Sequence, residues 1–503
     1  MPTLGQRAEQ ALERLGDHPS VWFEGSWHTS AELAARARRA AGGFRELGVG
    51  PGDRVVVMMA NCPEVGVTYA ALWRAGAVPT PVLFLLSQDE LRHVVRDSGA
   101  VAVVTTPEFL AKCRAAAPGL PLVVVEPDPE ADPTGATPYA ALESAGELPL
   151  VDRREDDLAA LLYTGGTTGR AKGVALTHAG VDAAGAAGYA AGHVPGRTRG
   201  LLPLPLAHVY GLMVSVTGLH AVEPSSSVLM RWFDPAGFLR LVQEHRVQTT
   251  ALVPSMISML LTEPLEELDL ASLERVSSGG APLAVEVARE LERRIPTVQV
   301  AEGYGCTETS ALISTQPAQR RLGSVGRPVP GVRVRIEGPD GQLLGSDEDG
   351  EICVRGPVLM AGYWQSPEAT AQAVRGGWLH TGDLGHLDAD GYLYVVDRLK
   401  DLIIRNGFNV YPRDVEDVLL AHPEVTGATV VGRPDPRVGE EVVAFVALRP
   451  GSGATAEDLV GYARERLSAA KYPREVRVVD AVPLTSVLKT DRKALRALLQ
   501  ETG

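Results

Sequence analysis

Short apolar stretches alternate with stretches of helical spacing through the N-terminal half of the sequence. We predict strands at Arg54–Met59, Gly76–Val82 and Ala100–Thr105, with helices at Ala31–Leu47 and Gln88–Asp97. A helix between two buried strands carries the chain back across the sheet, so the second strand runs parallel to the first. The alternation therefore predicts an α/β fold with mostly parallel sheets.

The sequence changes character toward the C-terminus. β-Hairpin turns begin after Gly331, for example at Pro339-Asp-Gly341, and strands and helices are mixed beyond the charged segment Asp397-Arg-Leu-Lys-Asp401. That segment is typical of a solvated turn and equally of a hinge between domains. We predict an N-terminal domain over residues 1–399 and a small α+β C-terminal domain over residues 400–503.

The stretch Tyr163-Thr-Gly-Gly-Thr-Thr-Gly-Arg-Ala-Lys-Gly-Val174 predicts a phosphate-binding loop. Glycines let backbone N–H groups close on an anion, and threonine hydroxyls and a lysine add donors and positive charge. The loop is not a Walker A motif, because Lys172 follows Ala171 and precedes Gly173 instead of standing in Gly-Lys-Ser/Thr. A glycine- and threonine-rich turn without a ligand is the alternative.

Two more glycine-rich or polar segments follow predicted strands. Ser277-Ser-Gly-Gly-Ala-Pro282 comes after the strand Leu273–Ser277, and Glu302-Gly-Tyr-Gly-Cys-Thr-Glu308 comes after Val298–Ala301. Ligands of open α/β sheets collect at the carboxyl ends of the strands. We therefore expect these segments to share one site.

Composition argues against several classes of function. The net charge of the 503 residues is −14, which argues against general nucleic-acid binding. Cys62, Cys113, Cys306 and Cys353 are far apart and form no C-x-x-C pair, so their spacing suggests neither a zinc site nor a disulfide framework. The first residues lack the apolar core of a signal peptide, and no run reaches the roughly 18 apolar residues that span a membrane. We expect a cytoplasmic protein without a membrane span.

Eight segments match, in order, the motifs of one enzyme superfamily. They are YTGGTTGRAKG at 163–173, LPLAHVYG at 204–211, SGGAPL at 278–283, YGCTE at 304–308, GEICVRGP at 350–357, WLHTGD at 378–383, DRLKDLIIRNGFNVYP at 397–412, and a lysine near the end, Lys489. On these motifs the chain resembles the adenylate-forming superfamily of acyl-CoA synthetases, nonribosomal-peptide adenylation domains and luciferases.

The resemblance implies both a fold and a reaction. The fold is a large N-terminal domain of βαβ subdomains with a β-rich subdomain, followed by a small mobile C-terminal domain that rotates between two steps. In the first step a carboxylate attacks the α-phosphate of ATP to give acyl-AMP and pyrophosphate; in the second the thiol of CoA displaces AMP. The expected cofactors are ATP (or ready-made acyl-AMP), Mg²⁺ and CoA, and the expected class is an AMP-forming acid–thiol ligase.

The motifs also imply nucleotide-site roles for individual residues. By resemblance, Tyr304 stacks on adenine, Asp383 and Arg398 bind the ribose, Thr307 contacts the α-phosphate, and Glu308 holds the metal, Mg²⁺. The other expected ATP or AMP contacts are Thr164, Gly165, Gly166, Thr167, Thr168, Gly169, Lys172, Gly279, Gly280, Ala281 and Gly305.

Three positions of the C-terminal domain take roles from the same resemblance. Lys489 is expected to contact the substrate carboxylate and the α-phosphate, which makes it the third catalytic residue beside Thr307 and Glu308. Lys400 stands at the expected hinge, and Gly407 is expected to line the tunnel through which the pantetheine arm of CoA enters.

The resemblance implies a small, apolar acyl pocket after Pro205. Amino-acid-adenylating relatives place an aspartate near His208, and malonate-type relatives place an arginine where Gly303 stands; this chain has neither. The expected substrate is therefore a hydrophobic carboxylic acid, and linear fatty, aromatic and polycyclic acids all stay open. A packed core histidine is the alternative interpretation of His208. The expected pocket residues are His208, Val209, Tyr210, Gly211, Val214, Ser215 and Gly303.

One residue departs from the family pattern. Leu488 stands before Lys489 where relatives have glycine, and if that position needs φ > 0, a branched side chain there misplaces the lysine. Our hypothesis is that adenylation is slow or absent, while thioester formation survives on acyl-AMP supplied by a separate enzyme. A ligase that transfers the acyl group to a carrier protein and a non-catalytic adenylate or CoA binder stay open as alternatives.

Overall fold

The computed structural model describes residues 1–125, 135–164, 170–449, 451–484 and 490–500. Within these ranges the strands form five sheets with helices packed against them, which confirms the predicted α/β class. None of the helices in these ranges combines the length and apolar content that crossing a membrane requires. The α-helices are Leu4–Leu15, Ser30–Glu46, Pro63–Arg74, Gln88–Ser98, Leu110–Ala116, Tyr139–Leu142, His178–Gly192, Val209–Gly218, Pro235–His245, Pro254–Leu260, Val285–Arg294, Pro367–Ala373, Pro412–Leu420, Ala456–Arg466 and Arg492–Gln500.

A parallel sheet of five strands comes first in the chain. Its central strands bury both faces under helices, which is why they read as continuous apolar runs in the sequence. The helices Ser30–Glu46 and Gln88–Ser98 each begin with a capping box, at Thr29 and Ser87, which satisfies N–H groups of the first turn. In spatial order the strands are Val78–Pro81, Arg54–Met58, Ala102–Thr105, Leu122–Val124 and Ala136–Pro138.

A sheet of nine strands carries the polar segments at its carboxyl edge. Six neighbouring strands are parallel, and antiparallel strands extend the sheet at both ends. The strand Gln299–Tyr304 runs three residues further than predicted, because Gly303 and Tyr304 pair with Thr315 and Ser314. In spatial order the strands are Arg327–Pro328, Ser314–Thr315, Gln299–Tyr304, Arg275–Ser278, Thr249–Leu252, Arg199–Leu202, Ser226–Leu229, Pro19–Phe23 and Ser26–Thr29.

The glycine loop joins two antiparallel strands. Leu158–Thr164 pairs with Lys172–Thr177, and Gly362–Tyr363 pairs with the second of these. Thr164 and Lys172 face each other at the two ends of the loop. Residues 165–169 lie outside the described part of the chain, so the phosphate contacts expected of Gly165, Gly166, Thr167, Thr168 and Gly169 stay predictions.

The charged segment 397–401 begins at the end of a strand of the β-rich sheet and continues as a turn, as predicted. Arg398, Leu399 and Lys400 are exposed, whereas the two aspartates at its ends are buried. Asp397 and Asp401 are only 8% and 6% exposed. Arg413 donates its backbone N–H to Asp397 over 3.1 Å, and Arg496 pairs with Asp401 at 2.8 Å. The strands of this sheet are Arg333–Glu337, Gly350–Arg355, Trp378–Leu387, Val374–Arg375 and Leu393–Arg398.

The C-terminal segment has a sheet and buried apolar clusters made from its own residues, which lie between Ile403 and Leu499. The strand Gly439–Leu448 is central, with antiparallel neighbours and one parallel strand, Glu475–Val479. An ion pair at 2.7 Å between the buried Arg405 and Glu441 ties two of its strands together. The remaining strands are Phe408–Val410, Ile403–Arg405 and Val425–Asp435.

Candidate active site

The predicted ribose residues meet at the edge of the β-rich sheet. Asp383 and Arg398 are paired across adjacent strands, and Arg398 Nε lies 3.2 Å from Asp383 Oδ1. Tyr304, which comes from the nine-stranded sheet, donates its hydroxyl to Asp383 Oδ2 over 2.6 Å. Burial, and then the Asp383 charge, raise the pKa of the Tyr304 hydroxyl well above its usual value, so this group remains a donor. The corner is therefore a buried carboxylate held from two sides, with acceptor capacity left for hydroxyl groups.

Glycines in the predicted site are required by close packing. A Cβ on Gly305 would lie 2.1 Å from the Ala311 carbonyl oxygen, and one on Gly211 would lie 2.2 Å from that of Pro205. Both distances are far inside van der Waals contact, so neither position accepts a side chain without moving the backbone. Gly279 is buried against the ring of Tyr210, whereas Gly280 is exposed and Ala281 is partly exposed.

Thr307 and Glu308 lie in one short helical turn, Thr307–Thr309, directly after the strand that carries Tyr304. Tyr363 donates its hydroxyl to Glu308 Oε1 over 2.9 Å, and the Lys172 ammonium lies 5.3 Å from the centre of the Tyr363 ring. A lysine, an aromatic ring and a carboxylate are thus aligned at the end of the glycine loop. The second carboxylate oxygen is the kind of ligand that Mg²⁺ prefers.

The predictions from the sequence did not include Tyr363. In the sequence, Tyr363 is marked only by the aromatic pair Tyr363-Trp364, which follows a glycine and lies between two of the family motifs. The strand pairing of Gly362–Tyr363 with Lys172–Thr177 brings this ring to the loop. Because that pairing joins residues almost 190 positions apart, no local pattern could predict it.

A cleft with about 200 Å³ of interior space opens beside two of the predicted acyl-pocket residues, His208 and Tyr210. His208 is partly buried, and its Nδ1 accepts the Tyr210 N–H over 3.2 Å at the start of the helix Val209–Gly218. A neutral His208 therefore carries its proton on Nε2. The other residues that line the cleft are Met59, Asn61, Phe84, Leu85, Pro203, Leu204, Pro205, Arg231, Trp232, Phe233, Val253 and Met256.

The other predicted pocket residues do not line this cleft. Val209 and Gly211 are buried, and Val214 packs against the core of the nine-stranded sheet. Ser215 donates its hydroxyl to the Gly211 carbonyl over 3.1 Å. Gly303 pairs with Thr315 within the sheet.

The predicted residues of the C-terminal domain lie on its surface or outside the described ranges. Lys400 is exposed in the turn after Arg398, which is compatible with the expected hinge. Gly407, at the tip of a hairpin, has φ +77° and is exposed, and a Cβ built on it meets nothing within 4 Å. Its expected place in the CoA tunnel stays a prediction. Leu488 and Lys489 lie outside the described residues, so their roles stay predictions.

Comparison with known proteins agrees with this geometry. Residues 8–364 match the family described as AMP-binding enzyme, and residues 414–489 match the AMP-binding enzyme C-terminal domain. The chain is 38% identical to feruloyl-CoA synthase from Amycolatopsis sp over 479 residues, and this alignment covers 94% of each protein. It is 35% identical to 4-coumarate–CoA ligase 3 from Oryza sativa subsp. japonica, which covers 99% of this chain and 92% of the relative. The ATP-bound crystal structure of MatB from Rhodopseudomonas palustris superposes with a TM-score of 0.90 at 30% identity and covers 100% of both chains. The chain therefore belongs to the AMP-binding enzyme family and is an AMP-forming acid–thiol ligase that uses ATP, a carboxylic acid and CoA.

Proposed function

We propose that this ligase makes the CoA thioester of a hydrophobic carboxylic acid, and that planar aryl-propenoic acids are its preferred substrates. The main support is the apolar cleft beside His208 and Tyr210. Arg231 lines this cleft, but its guanidinium is already paired with Glu24 at 2.7 Å, so it offers little charge to a second carboxylate. A dicarboxylic acid would bury its far carboxylate at a cost of several kcal/mol unless it were paired.

The aromatic side chains of the cleft favour an aryl group over an alkyl chain. The rings of Phe84 and Trp232 meet edge to face with centroids 4.8 Å apart, and Phe109 stacks behind Phe84 at 5.5 Å. An aromatic ring that joins such a cluster gains about 0.5–1.5 kcal/mol beyond the area that it buries. The feruloyl and 4-coumarate groups in the names of the two relatives have this flat, aromatic shape.

At the nucleotide end, Tyr304 offers a ring face for adenine, and Asp383 and Arg398 offer an acceptor and a donor for the ribose. Asp383 is already held by a hydrogen bond from Tyr304 and an ion pair with Arg398, so its side chain loses little freedom when ATP binds. Thr307 would donate to the α-phosphate, where negative charge builds up during adenylation.

Mg²⁺ fits the corner formed by Glu308, because Tyr363 holds one carboxylate oxygen and leaves the other for a hard cation. The ion would neutralise the charge of the departing pyrophosphate. Lys172 adds positive charge from the end of the glycine loop, over the Tyr363 ring.

We further propose that adenylation is much slower than thioester formation in this enzyme. Its support is the sequence alone, since Leu488 stands where the family has glycine beside the catalytic Lys489. Misplacing a catalytic group by 1 Å costs about 100-fold in rate. The enzyme would then depend on acyl-adenylate made by another protein, and it would mainly form thioesters.

A split assay tests both halves separately. ATP, Mg²⁺ and acid without CoA should release pyrophosphate slowly, preformed acyl-AMP with CoA should give the thioester rapidly, and Leu488→Gly should raise the first rate alone. Rapid adenylation by the unmodified protein would contradict the proposal that adenylation is slow. Acyl transfer to an added carrier protein but not to CoA, or nucleotide binding without either reaction, would contradict the CoA-ligase proposal.

A panel of acids tests the substrate class. We expect kcat/KM in the thioester step to be at least about tenfold higher for feruloyl-AMP and 4-coumaroyl-AMP than for decanoyl-AMP. Trp232→Ala should raise the KM of the aryl substrates. If it raises the KM of CoA instead, the cleft binds the pantetheine arm, and the substrate assignment is wrong.

A further inference from the structure

A buried asparagine in the apolar cleft joins two of the chain segments that line it. Asn61 is buried and itself lines the cleft. Its NH₂ group donates to the Leu204 carbonyl over 2.9 Å and to the Met230 carbonyl over 3.0 Å. Its Oδ1 accepts the Leu206 N–H over 2.9 Å. One side-chain amide thus connects two segments that follow neighbouring strands of the nine-stranded sheet.

The sequence explains why the first of these segments needs side-chain partners. Residues 203–208 read Pro-Leu-Pro-Leu-Ala-His, and neither proline has an N–H group to offer to a neighbouring strand. Leu204 and Leu206 are buried, so their backbone polar groups must find partners within the protein. Asn61 supplies two of these partners, and the Tyr69 hydroxyl donates to the Leu206 carbonyl over 3.1 Å. Side chains therefore replace the missing strand pairing.

A second side chain holds the segment of the cleft that carries Phe84. The Lys112 ammonium donates to the Phe84 and Leu86 carbonyls over 2.8 and 3.0 Å. The Phe84 ring in turn meets the ring of Trp232, which lies two residues after the second carbonyl that Asn61 binds. The segments that line the cleft are thus tied to one another, so its width cannot adjust freely to a ligand.

We propose that Asn61 is a specificity-determining positioning residue, which fixes the spacing of the cleft walls so that a flat aromatic ring fits better than an alkyl chain. This inference rests on the aryl-propenoic substrates proposed above. The three bonds of Asn61 use both of its N–H donors, so it gives a polar substrate group no N–H to bind. A cleft with fixed walls selects by shape, because a ring that fills it keeps close contact on both faces.

Asn61→Asp tests the proposal with a group that titrates. A neutral carboxyl still accepts the Leu206 N–H and donates to one carbonyl, whereas an ionised carboxylate has no donor and faces carbonyl oxygens. Burial raises the pKa of a carboxyl group, which brings the titration toward neutral pH. In the thioester step, the KM of this variant for feruloyl-AMP should rise at least about tenfold between pH 6 and pH 8.5, and the KM of CoA should not. Both are taken relative to the unmodified protein at each pH, which cancels the titration of His208 in the same cleft.

Gln316→Glu is the matched control, because Gln316 is also a buried amide that binds the backbone three times. It donates to the carbonyls of Arg321 and Ser324 over 2.7 and 2.6 Å and accepts the Arg321 N–H over 3.1 Å. These bonds hold a loop that follows the strand Ser314–Thr315, near one end of the nine-stranded sheet. This variant should keep the preference of the unmodified protein for feruloyl-AMP over decanoyl-AMP.

Tyr69→Phe keeps the test decisive if Asn61→Asp does not fold. It removes one bond to Leu206 and keeps the ring, so the preference for feruloyl-AMP over decanoyl-AMP should fall about threefold at every pH. An unchanged preference in Asn61→Asp at pH 8.5 or in Tyr69→Phe, or an equal loss in Gln316→Glu, would overturn the proposal. The preference of the unmodified protein tests the proposed function, whereas its change in the variants tests the role of Asn61, so the two failures are distinguishable.

Discussion

The ribose corner and the hairpin that carries Gly407 both contain family motifs, but they are built in opposite ways. In the corner, Asp383 is 8% exposed, and its two oxygens contact Tyr304 and Arg398. These contacts join two different sheets, so the carboxylate is fixed before any ligand binds. The corner is preorganised for a nucleotide.

The hairpin is open by contrast. Ile404 and Phe408 are 52% and 62% exposed, and Gly407 between them has no neighbouring atoms for a side chain to meet. The residues expected to bind the nucleotide are thus already in contact with one another. We propose that the site of the thiol, by contrast, is completed only when the C-terminal domain rotates.

The largest effect is expected at the hairpin. If Gly407 enters the thiol tunnel after rotation, Gly407→Leu should lower thioester formation from acyl-AMP by about 100-fold, because a side chain would displace the reacting sulfur. Adenylation should be unchanged. Gly341→Leu is the control, since Gly341 has φ +76° and the same open surroundings on a different hairpin. If both variants lost thioester formation equally, backbone strain would be the cause, and the contrast between the hairpin and the ribose corner would fail.

A smaller effect is expected at the ribose corner. Asp383→Asn keeps the shape but loses the charge, so the KM of ATP or acyl-AMP should rise about 30-fold, since hydrogen bonds to charged groups contribute about 1.5–3 kcal/mol. The KM of CoA should stay constant. Asp340→Asn, in an exposed turn, should change neither value. A parallel rise in the KM of CoA would contradict the separation of the two ends.

The Glu308 corner should show a still smaller change. Tyr363→Phe removes the hydroxyl that holds Glu308 and keeps the ring under Lys172, so kcat for adenylation should fall about fivefold. Raising the Mg²⁺ concentration should restore part of the loss. Tyr189→Phe is the control, because the Tyr189 hydroxyl bonds to His193 and Val222 instead. The same Mg²⁺ dependence in Tyr363→Phe and the unmodified protein would contradict the role of Tyr363.

The last expected effect concerns stability where the two domains touch. Glu302 is 7% exposed, and its burial raises its pKa from 4.5 to about 7, although Arg413 from the C-terminal domain opposes the shift. The folded protein keeps a proton that the unfolded chain releases, so Glu302 lowers stability as pH rises through this window. Glu302→Gln should therefore raise the free energy of unfolding at pH 8 by up to about 3 kcal/mol and leave it unchanged at pH 4. Urea unfolding at pH 4 and pH 8 measures this free energy. An equal change at both pH values would contradict the raised pKa of Glu302.

Much of the local structure could be predicted from sequence, because its causes lie within a few residues. The helix predicted at Ala31–Leu47 is observed at Ser30–Glu46, where Thr29 and Glu32 form the capping box. The strand predicted at Arg54–Met59 ends one residue earlier, at Met58. The motif order similarly identified the superfamily, since each motif is a short contiguous stretch.

Contacts between distant segments could not be predicted in the same way. Tyr363 and Glu308 are 55 positions apart and meet through sheet pairing, and Asp397 and Asp401 are buried because the chain around Arg413 and Arg496 folds over them. In the sequence, a buried paired aspartate and a solvated one look alike. Burial depends on which segments pack together.

The sequence by itself determined the α/β class, the order of the motifs, the glycine loop and the replacement of glycine by Leu488. Only the tertiary structure decided that Asp383 is held from two sheets, that the Gly407 hairpin stands open, and that Asn61 joins two segments of the cleft. The physical reason is that helix caps and apolar periodicity act over a few residues. Side-chain constellations instead depend on strand register and on burial, which arise only when the whole chain is folded.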